Sequence, residues 1–329
     1  MLSNFLFSQA GYKVFGGLYL GWGIGANNAA NIFSTAVATN VLKYRTAVIL
    51  IAIFVVLGAT VEGPNLFLAE STKFSQESTS TLALVATLSA ALTITVITYL
   101  SIPTSTSQAA IGAFMGIAIA ASGMESVDWA KFLKMLICWL LHPMIGLVLA
   151  FVFLKILRYP LVVWIKKTTV RASLYKVLFF IFGCYGAYAL GANNVVVTTV
   201  AYYNIGMFGA VGSKHAAWWA ATLGGISIAV GALTYGAKVM VTIGKKITPL
   251  DSFSALVVVL VHSLTLHFFT QLNIPVSSSH AVVGAVIGVG LFKGSKMINR
   301  KTIVKIFIGW IATPLIAGFC AWSVAGLIR

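Results

Sequence analysis

Ten long apolar runs, separated by short polar segments, occupy most of this 329-residue chain. A membrane-spanning helix needs about 20 consecutive apolar residues, and the runs are near or above that length. They are continuous and do not alternate apolar with polar residues. This excludes the strands of a membrane barrel and leaves helices, which pair their own backbone in lipid, so we predict an all-α integral membrane protein. The predicted spans cover roughly residues 12–41, 46–69, 80–100, 102–123, 129–157, 175–203, 216–243, 252–273, 275–292 and 302–328.

The charged residues predict how the chain lies in the membrane. Only 9% of residues are charged, yet the net charge is +16. The basic residues fall between the spans and not along one solvated face, so membrane topology explains them better than nucleic-acid binding. With the N-terminus outside, fifteen of the 22 Lys and Arg residues lie in inside loops and six lie outside, with Lys238 in a span. We predict a multi-pass cell-membrane protein with both termini outside.

Two polar motifs each occur twice inside apolar surroundings. Gly-Ala-Asn-Asn stands at 25–28 and again at 191–194. A proline followed by a polar, hydroxyl-rich cluster stands at 103–109 and again at 275–281. The offset between copies is 166 residues for the first motif and 172 for the second, so the two halves align with few insertions.

This alignment predicts the domain organisation. Each half holds five spans, an odd number, so the second half crosses the bilayer with the opposite orientation to the first, as in many secondary transporters. We predict a first transmembrane repeat over 1–160, a basic cytoplasmic linker over 161–174 and a second, inverted repeat over 175–329. Spans three and four of each half have almost no loop between them, so we expect broken or re-entrant helices at the centre, and keep five crossings per half.

The hydroxyl clusters predict an anion site. Proline is favoured at the first helical position, and Ser and Thr cap the free N–H groups of a starting helix. A helix N-terminus at membrane depth attracts an anion, and two of them would surround one. The alternative, that the hydroxyls bond back to helical carbonyls, is weaker for clusters repeated in register. The predicted oxyanion ligands are Thr104, Ser105, Thr106, Ser107 and Gln108 in the first half and Ser277, Ser278, Ser279 and His280 in the second.

The asparagines of the other motif are predicted to bind the coupling ion or the substrate. Glycine and alanine permit a helix break and close helix approach, and an Asn carbonyl oxygen can coordinate a ligand. The candidates are Asn27, Asn28, Asn31, Asn193 and Asn194. The position that matches Asn31 in the second half is Val197, so the halves differ there.

Other polar residues carry weaker signals. Glu62 is an intramembrane carboxylate and a candidate for cation or proton binding, although the Gly-Pro that follows it can break the helix and expose it to water. His142, His262 and His267 have no metal-ligand spacing with acids, so we predict packing roles for them. The sequence shows no set of nucleophile, base and orienting group, so we predict no enzyme activity and no cofactor beyond a coupling ion. The N-terminus lacks the features of a cleavable signal, so we expect the first apolar segment to be retained.

Together, the motifs resemble those of the PiT family of inorganic phosphate transporters, whose halves each carry a Gly-Ala-Asn-Asp type signature and, later, a Pro-hydroxyl cluster ending in His. The resemblance rests on the segments 25–31, 35–37, 103–112, 191–194 and 275–284. It implies a secondary transporter of phosphate driven by Na+ or H+, with its site between the two repeats. The expected partners are the lipid bilayer and, as an open alternative to a monomer, further copies of the same chain.

The departures from that family leave the ion and the substrate open. The signature acid is Asn at both Asn28 and Asn194, and positions where the family often has glutamate read Val55 and Val259. Losing carboxylates removes the hard oxygen ligands expected for Na+, although an amide-ligated Na+ at the two asparagines is an alternative to H+ coupling. A site of neutral donors also suits sulfate, which is fully deprotonated at neutral pH. A sulfate permease of this family and an anion channel are the alternative functions.

Overall fold

A computed structural model of the chain describes residues 11–69, 79–100, 102–235 and 247–328, and these are almost entirely helical. Lys238 and the predicted end of the seventh span lie outside the described residues. A 3-10 turn, Gly11–Val14, precedes the first helix, and π turns cover Gly25–Ala29 and Tyr159–Val163. The helices are α1 Phe15–Ile24, α2 Ala30–Ala38, α3 Tyr44–Val61, α4 Gly63–Leu68, α5 Ser80–Tyr99, α6 Thr106–Ser122, α7 Trp129–Arg158, α8 Thr168–Asn194, α9 Val196–Asn204, α10 Lys214–Tyr235, α11 Ser252–Gln271, α12 Ser278–Lys293 and α13 Arg300–Ile328.

Every predicted span contains one helix or two consecutive helices, which confirms the all-α membrane fold. Within the described ranges, seven helical segments are long and apolar enough to cross a membrane. α6 and α12 are apolar but have only 17 and 16 residues, about 25 Å at 1.5 Å per residue, against a hydrocarbon core of about 30 Å. Whether these two helices cross or re-enter, and which side the termini face, stay predictions. The predicted linker is partly helical, since α8 already begins at Thr168.

α7 and α13 form the surface that suits lipid. Large apolar side chains on these helices are well exposed, among them Leu140, Ile311 and Leu315, each more than 60% accessible. A water-soluble protein rarely leaves a contiguous apolar surface of this kind uncovered. The predicted partnership with the bilayer therefore has its structural counterpart in these two long helices.

The Gly-Ala-Asn-Asn motifs interrupt their helices, as expected. In the first half the motif and Ala29 form the π turn between α1 and α2. In the second half it completes α8, and Val195 separates α8 from α9. A π turn widens the helix and frees backbone and side-chain groups, which is why such turns are frequent at functional sites.

The Pro-hydroxyl motifs form extended breaks ahead of α6 and α12. Ser105 and Ser277 have extended backbone and cap these helices, accepting hydrogen bonds from the N–H groups of Gln108 and His280. Pro103 and its counterpart Pro275 lie two residues before these caps, in the extended segments. The serine hydroxyl satisfies a first-turn donor, which proline cannot do, so serine takes the boundary position.

Helices of each half pack against helices of the other half. α6 of the first half packs along α13 of the second, and α12 packs along α7. α3 packs along α8, and α10 packs along α1 and its π turn. Elements that correspond by sequence offset therefore make corresponding contacts across the middle of the bundle. This arrangement supports the repeat organisation, while the opposite orientation of the repeats in a bilayer stays a prediction.

Glycine in the Gly-Ala-Asn-Asn motifs is required by close backbone approach between the halves. A Cβ atom on Gly25 would lie 1.9 Å from the carbonyl oxygen of Ile228 in α10. A Cβ atom on Gly191 would lie 2.0 Å from the carbonyl oxygen of Val55 in α3. Since backbone is on the other side in both cases, a side chain has no way to be accommodated without moving a helix.

We expect Gly191→Ala to lower the thermal unfolding midpoint, because overpacking against a backbone costs about 1–3 kcal/mol. Gly326→Ala is the matched control, since a Cβ there meets nothing within 4 Å in the same kind of apolar helix. Both replacements gain the same helix propensity, so their difference isolates the collision. The midpoint would be followed by size-exclusion chromatography of heated, detergent-solubilised protein, and equal midpoints for the two variants would contradict the close approach.

Candidate functional site

The first asparagine of each pair holds the extended break that precedes the hydroxyl cluster. Asn27 Nδ2 donates to Thr98 Oγ1 at 2.8 Å and to the Ile102 carbonyl at 3.3 Å. Its Oδ1 accepts from the Thr104 amide at 3.2 Å. One side chain therefore ties the end of α5 to the segment that leads into α6.

The second half repeats this arrangement. Asn193 Nδ2 donates to Thr270 Oγ1 at 3.1 Å and to the Ile274 carbonyl at 3.0 Å, and Oδ1 accepts from the Val276 amide at 2.9 Å. The amide oxygen and nitrogen of both asparagines are thus engaged with the chain itself. Their predicted part in ligand binding stays a prediction, and the structure gives them a positioning role.

Asn28, the second asparagine of the first pair, reaches the hydroxyl clusters. Its Nδ2 donates to Thr106 Oγ1 at 2.7 Å, on the first residue of α6. Its Oδ1 lies 3.4 Å from Ser279 Oγ of the other half. Asn31, one turn later, donates to the same Ser279 oxygen at 3.0 Å. The first Gly-Ala-Asn-Asn segment therefore contacts both clusters.

The two clusters also contact each other directly. Ser279 Oγ donates to the Thr104 carbonyl at 2.6 Å, and the Thr104 hydroxyl lies 2.6 Å from that of Thr313 in α13. All of these side chains are buried. The N-terminus of α6 and the N-terminus of α12 consequently meet at the contact between Ser279 and Thr104, inside the bundle.

The electrostatics of this meeting point favour an anion. The first turn of a helix leaves its backbone N–H groups without intrahelical partners, and the helix dipole places partial positive charge there. Two such ends converge here, and the surrounding side chains are neutral hydroxyls and amides. Within the described residues, no cluster of three or more His, Cys, Asp and Glu is arranged to hold a metal ion.

The equivalent groups of the second half are arranged differently. Asn194, the counterpart of Asn28, makes only a 3.5 Å contact with Asn193, and its Oδ1 has no hydrogen-bond partner among the described residues. The hydroxyl it would reach by analogy, on Ser278, lies 2.8 Å from His262 Nε2. Asn194 is therefore buried beside the site with an unused acceptor.

Two predicted ligands turn away from the meeting point. Gln108 and His280, which occupy equivalent positions, line an apolar cavity of about 690 Å³ between α7 and α13. The ring of His280 packs on that of Trp310, with the ring centroids 3.9 Å apart. Among the described residues, no side chain hydrogen-bonds to either ring nitrogen of His280. The remaining hydroxyls of the first cluster bond to each other, with Ser105 Oγ 3.2 Å from Ser107 Oγ.

His262 is a site residue that the sequence reasoning missed. It was predicted to serve packing, yet its ring bonds to Ser278, the first residue of α12. His142 does have the predicted packing role, with its ring centroid 4.9 Å from that of Phe269. The sequence did carry a signal for His262, because an ionisable residue in the middle of an apolar span marks a functional position by default.

A second, more polar cavity of about 670 Å³ lies at the ends of α7, α8, α11 and α12. Its basic residues are already partly engaged, since Arg171 donates to the Val162 carbonyl and Lys293 pairs with Asp251, the cap of α11. Burial alone would raise the pKa of the Asp251 carboxyl, but hydrogen bonds from Lys293 and the Ser254 amide hold that pKa below its ordinary value. This cavity contacts neither hydroxyl cluster.

The different roles of the paired asparagines predict different responses to an acid. Asn193→Asp removes the donors to Thr270 and to the Ile274 carbonyl and should cost about 2 kcal/mol or more, because a buried carbonyl is left unpaired. Both variants bury a carboxyl group, but Asn194→Asp breaks only one 3.5 Å contact and should therefore cost less than Asn193→Asp. Thermal unfolding midpoints of the two variants would test this, and an equal loss in both would contradict the positioning role of Asn193.

The chain is similar to known proteins over nearly its whole length. The model of the phosphate transporter family matches residues 24–321. A Pyrococcus furiosus protein named as a phosphate permease is 30% identical over 93% of this chain and 92% of its own length. A Rhizobium meliloti protein named as a low-affinity inorganic phosphate transporter is 29% identical over 91% of each chain.

The fold also matches a solved structure, described as the sodium-dependent phosphate transporter. The TM-score is 0.82, with 96% of this chain and 98% of that chain covered, at 23% identity. At that identity the match concerns the fold alone. The family match spans nearly the whole sequence and includes both copies of both motifs, so the chain is a multi-pass membrane protein that belongs to the phosphate transporter family.

Proposed function

We propose that this protein carries inorganic phosphate across the cell membrane as a secondary transporter, by alternating access and driven by a cation gradient. The observation that carries the proposal is the buried meeting of two helix N-termini, one from each half, at the contact between Ser279 and Thr104. Family membership supports phosphate as the substrate.

The donors at this site suit a substrate that must be released again. Phosphate would accept hydrogen bonds from the first-turn N–H groups of α6 and α12 and from the hydroxyls of Thr106 and Ser279. None of these groups carries a full charge. A site of neutral dipoles binds an anion without the deep electrostatic well that buried Arg or Lys would create, which favours turnover.

An unpaired acceptor at the same place favours phosphate over sulfate. The Ser279 hydroxyl donates to the Thr104 carbonyl, so its oxygen can only accept from Asn31. Asn31 therefore directs Nδ2 toward Ser279, and Asn31 Oδ1 has no hydrogen-bond partner among the described residues. Protonated phosphate species carry an O–H that a free carbonyl oxygen can accept, whereas sulfate at neutral pH has none. A buried acceptor left unpaired is costly, so the substrate that pairs it is preferred.

Alternating access follows from the division of the site between the halves. The Ser279 hydroxyl and the Thr104 carbonyl are in direct contact, so an oxyanion would enter by displacing one from the other. Each half supplies one helix N-terminus, and a movement of one half against the other opens or closes the gap from either side. The named sodium dependence of the structural relative makes Na+ one candidate driver, and H+ is the other, given Asn28 and Asn194 where the family has acid.

We expect Ser279→Ala to weaken phosphate affinity about tenfold or more, because a hydrogen bond to a charged ligand contributes about 1.5–3 kcal/mol. The test is concentration-dependent uptake of radiolabelled phosphate into proteoliposomes, with Na+ and pH gradients imposed separately and sulfate as competitor. Ser122→Ala is the control, since this serine is exposed at the far end of α6.

Unchanged affinity in the Ser279 variant would place the site elsewhere. Uptake of sulfate in preference to phosphate would overturn the substrate assignment. Flux that never saturates and ignores both gradients would indicate a channel and not a transporter.

A further inference from the structure

Glu62 lies where the two halves meet, at a position that the phosphate site does not use. It occupies the one-residue turn between α3 and α4, and its side chain is 24% exposed. The charge distribution places this turn toward the predicted outside. An intramembrane carboxylate of this kind needs partners that compensate its burial.

Among the described residues, the side-chain hydrogen-bond partners of Glu62 all come from the second half. Tyr188 in α8 donates its hydroxyl to Oε1 at 2.9 Å. In α11, His267 Nε2 lies 3.0 Å from Oε2 and Gln271 Nε2 lies 3.1 Å from it. Glu62 therefore bridges the end of α3 in the first half to two helices of the second.

The arrangement provides a place for one exchangeable proton. Three atoms lie within 3.1 Å of one another, namely Glu62 Oε2, His267 Nε2 and Gln271 Nε2. The His267 ring nitrogen is 2.7 Å from the Gln271 amide nitrogen. The other ring nitrogen, His267 Nδ1, lies 2.5 Å from the Tyr185 hydroxyl. That hydroxyl can donate to a neutral ring or accept from a protonated one, so the network stays paired in both states.

The ligand that this site takes is a proton and not a metal cation. Na+ and other hard cations need several oxygen acceptors around them. Here both oxygens of the Glu62 carboxylate already receive donors, and two of the three donor atoms are nitrogens. A cation would have to displace N–H and O–H groups, whereas a proton is accommodated on the ring of His267 without displacing anything.

Few other titratable groups contact the pair among the described residues. α8 contributes Tyr185 and Tyr188. α10 and the residue before α9 face the adjacent Gly63 with Ala221 and Val195, which are apolar. A polar cavity of about 170 Å³, lined by Glu62 and the end of α11 among others, is large enough to admit water to the carboxylate.

Helix packing does not require this cluster, because uncharged side chains make the corresponding contacts in the other half. There, Tyr19 bonds to Thr95 at 2.9 Å, in the positions that match Tyr185 and His267. Trp22, which matches Tyr188, bonds to Thr234 at 2.9 Å. Among the described residues, the same helix contacts are thus maintained without an acid or a histidine, so Glu62 and His267 serve something besides structure.

The cluster is also linked to the phosphate site through α11. Thr270, between His267 and Gln271 in the last turn, accepts the hydrogen bond from Asn193. Asn193 in turn holds Ile274 and Val276, the extended segment that leads into α12. A change in the contacts between α11 and Glu62 would therefore shift the extended segment that positions the second hydroxyl cluster.

We propose that Glu62 and His267 bind and release the proton whose movement drives phosphate transport. With the proton bound, an imidazolium beside a carboxylate makes the bridge net neutral; without it, the bridge carries one negative charge. The neutral bridge is cheaper to bury, so the proton biases the contact between the halves. This inference rests on the proposed phosphate transport, and it assigns the coupling role to residues outside the repeated motifs.

The test separates carriage of phosphate from its coupling to protons. Proteoliposomes would be assayed for phosphate–phosphate exchange at equal pH on both sides, which needs no net ion movement. They would then be assayed for net phosphate uptake driven by an inward proton gradient, with a trapped pH dye reporting proton entry. The variants are Glu62→Gln and His267→Gln, which keep hydrogen-bonding side chains but remove the titrating group. Glu125→Gln is the control, an exposed acid at the end of α6.

We expect gradient-driven uptake in the parent protein to carry protons with it. The ratio of driven uptake to exchange should fall about tenfold or more in Glu62→Gln and in His267→Gln and stay at the parental value in the control. If one variant has lost exchange altogether, the other reports on the same proton site from the opposite helix. Parental uptake without proton entry, or an unchanged ratio in an active variant, would overturn the inference, whereas absence of exchange in the parent would overturn phosphate transport itself.

Discussion

Two short stretches of extended backbone lie in the middle of an apolar bundle, and the rest of the structure depends on how their polar groups are paired. An unpaired backbone group in such surroundings costs several kcal/mol, which is why irregular backbone at membrane depth survives only where protein satisfies it. Asn27 and Asn193 provide that pairing, each with two donor bonds and one acceptor bond. Because these breaks are stable, α6 and α12 can begin inside the bundle, and their N-termini can meet.

The two repeats differ from each other at the centre of the bundle. Asn31 crosses to Ser279, while Val197 at the matching position has no polar group to offer. His262 bonds to the start of α12, while its counterpart by offset is Ala90. Thr313 bonds to Thr104. The amide of Asn31 in the first half and the ring of His262 in the second therefore have no polar counterpart in the other repeat.

The sequence predicted the helices and their interruptions well, because hydropathy and helix-breaking residues are local properties. It could not assign different roles to the two asparagines of each pair. Neighbouring helical residues point about 100° apart, so which one faces the break and which one faces the cluster depends on tertiary packing. The same limit explains Gln108 and His280, which were grouped with the hydroxyls by proximity in sequence but face the apolar cavity between α7 and α13.

The central claim is that the substrate binds where the two helix N-termini meet, and locating the bound anion tests it most directly. Arsenate has the shape and charge of phosphate and scatters X-rays anomalously, so a structure determined with arsenate would show its position. The account predicts an anomalous peak within hydrogen-bonding distance of Ser279 and the first turns of α6 and α12, with Ser279 displaced from the Thr104 carbonyl. A peak confined to the polar cavity that Arg171 and Lys293 line, with the contact between Ser279 and Thr104 intact, would contradict it.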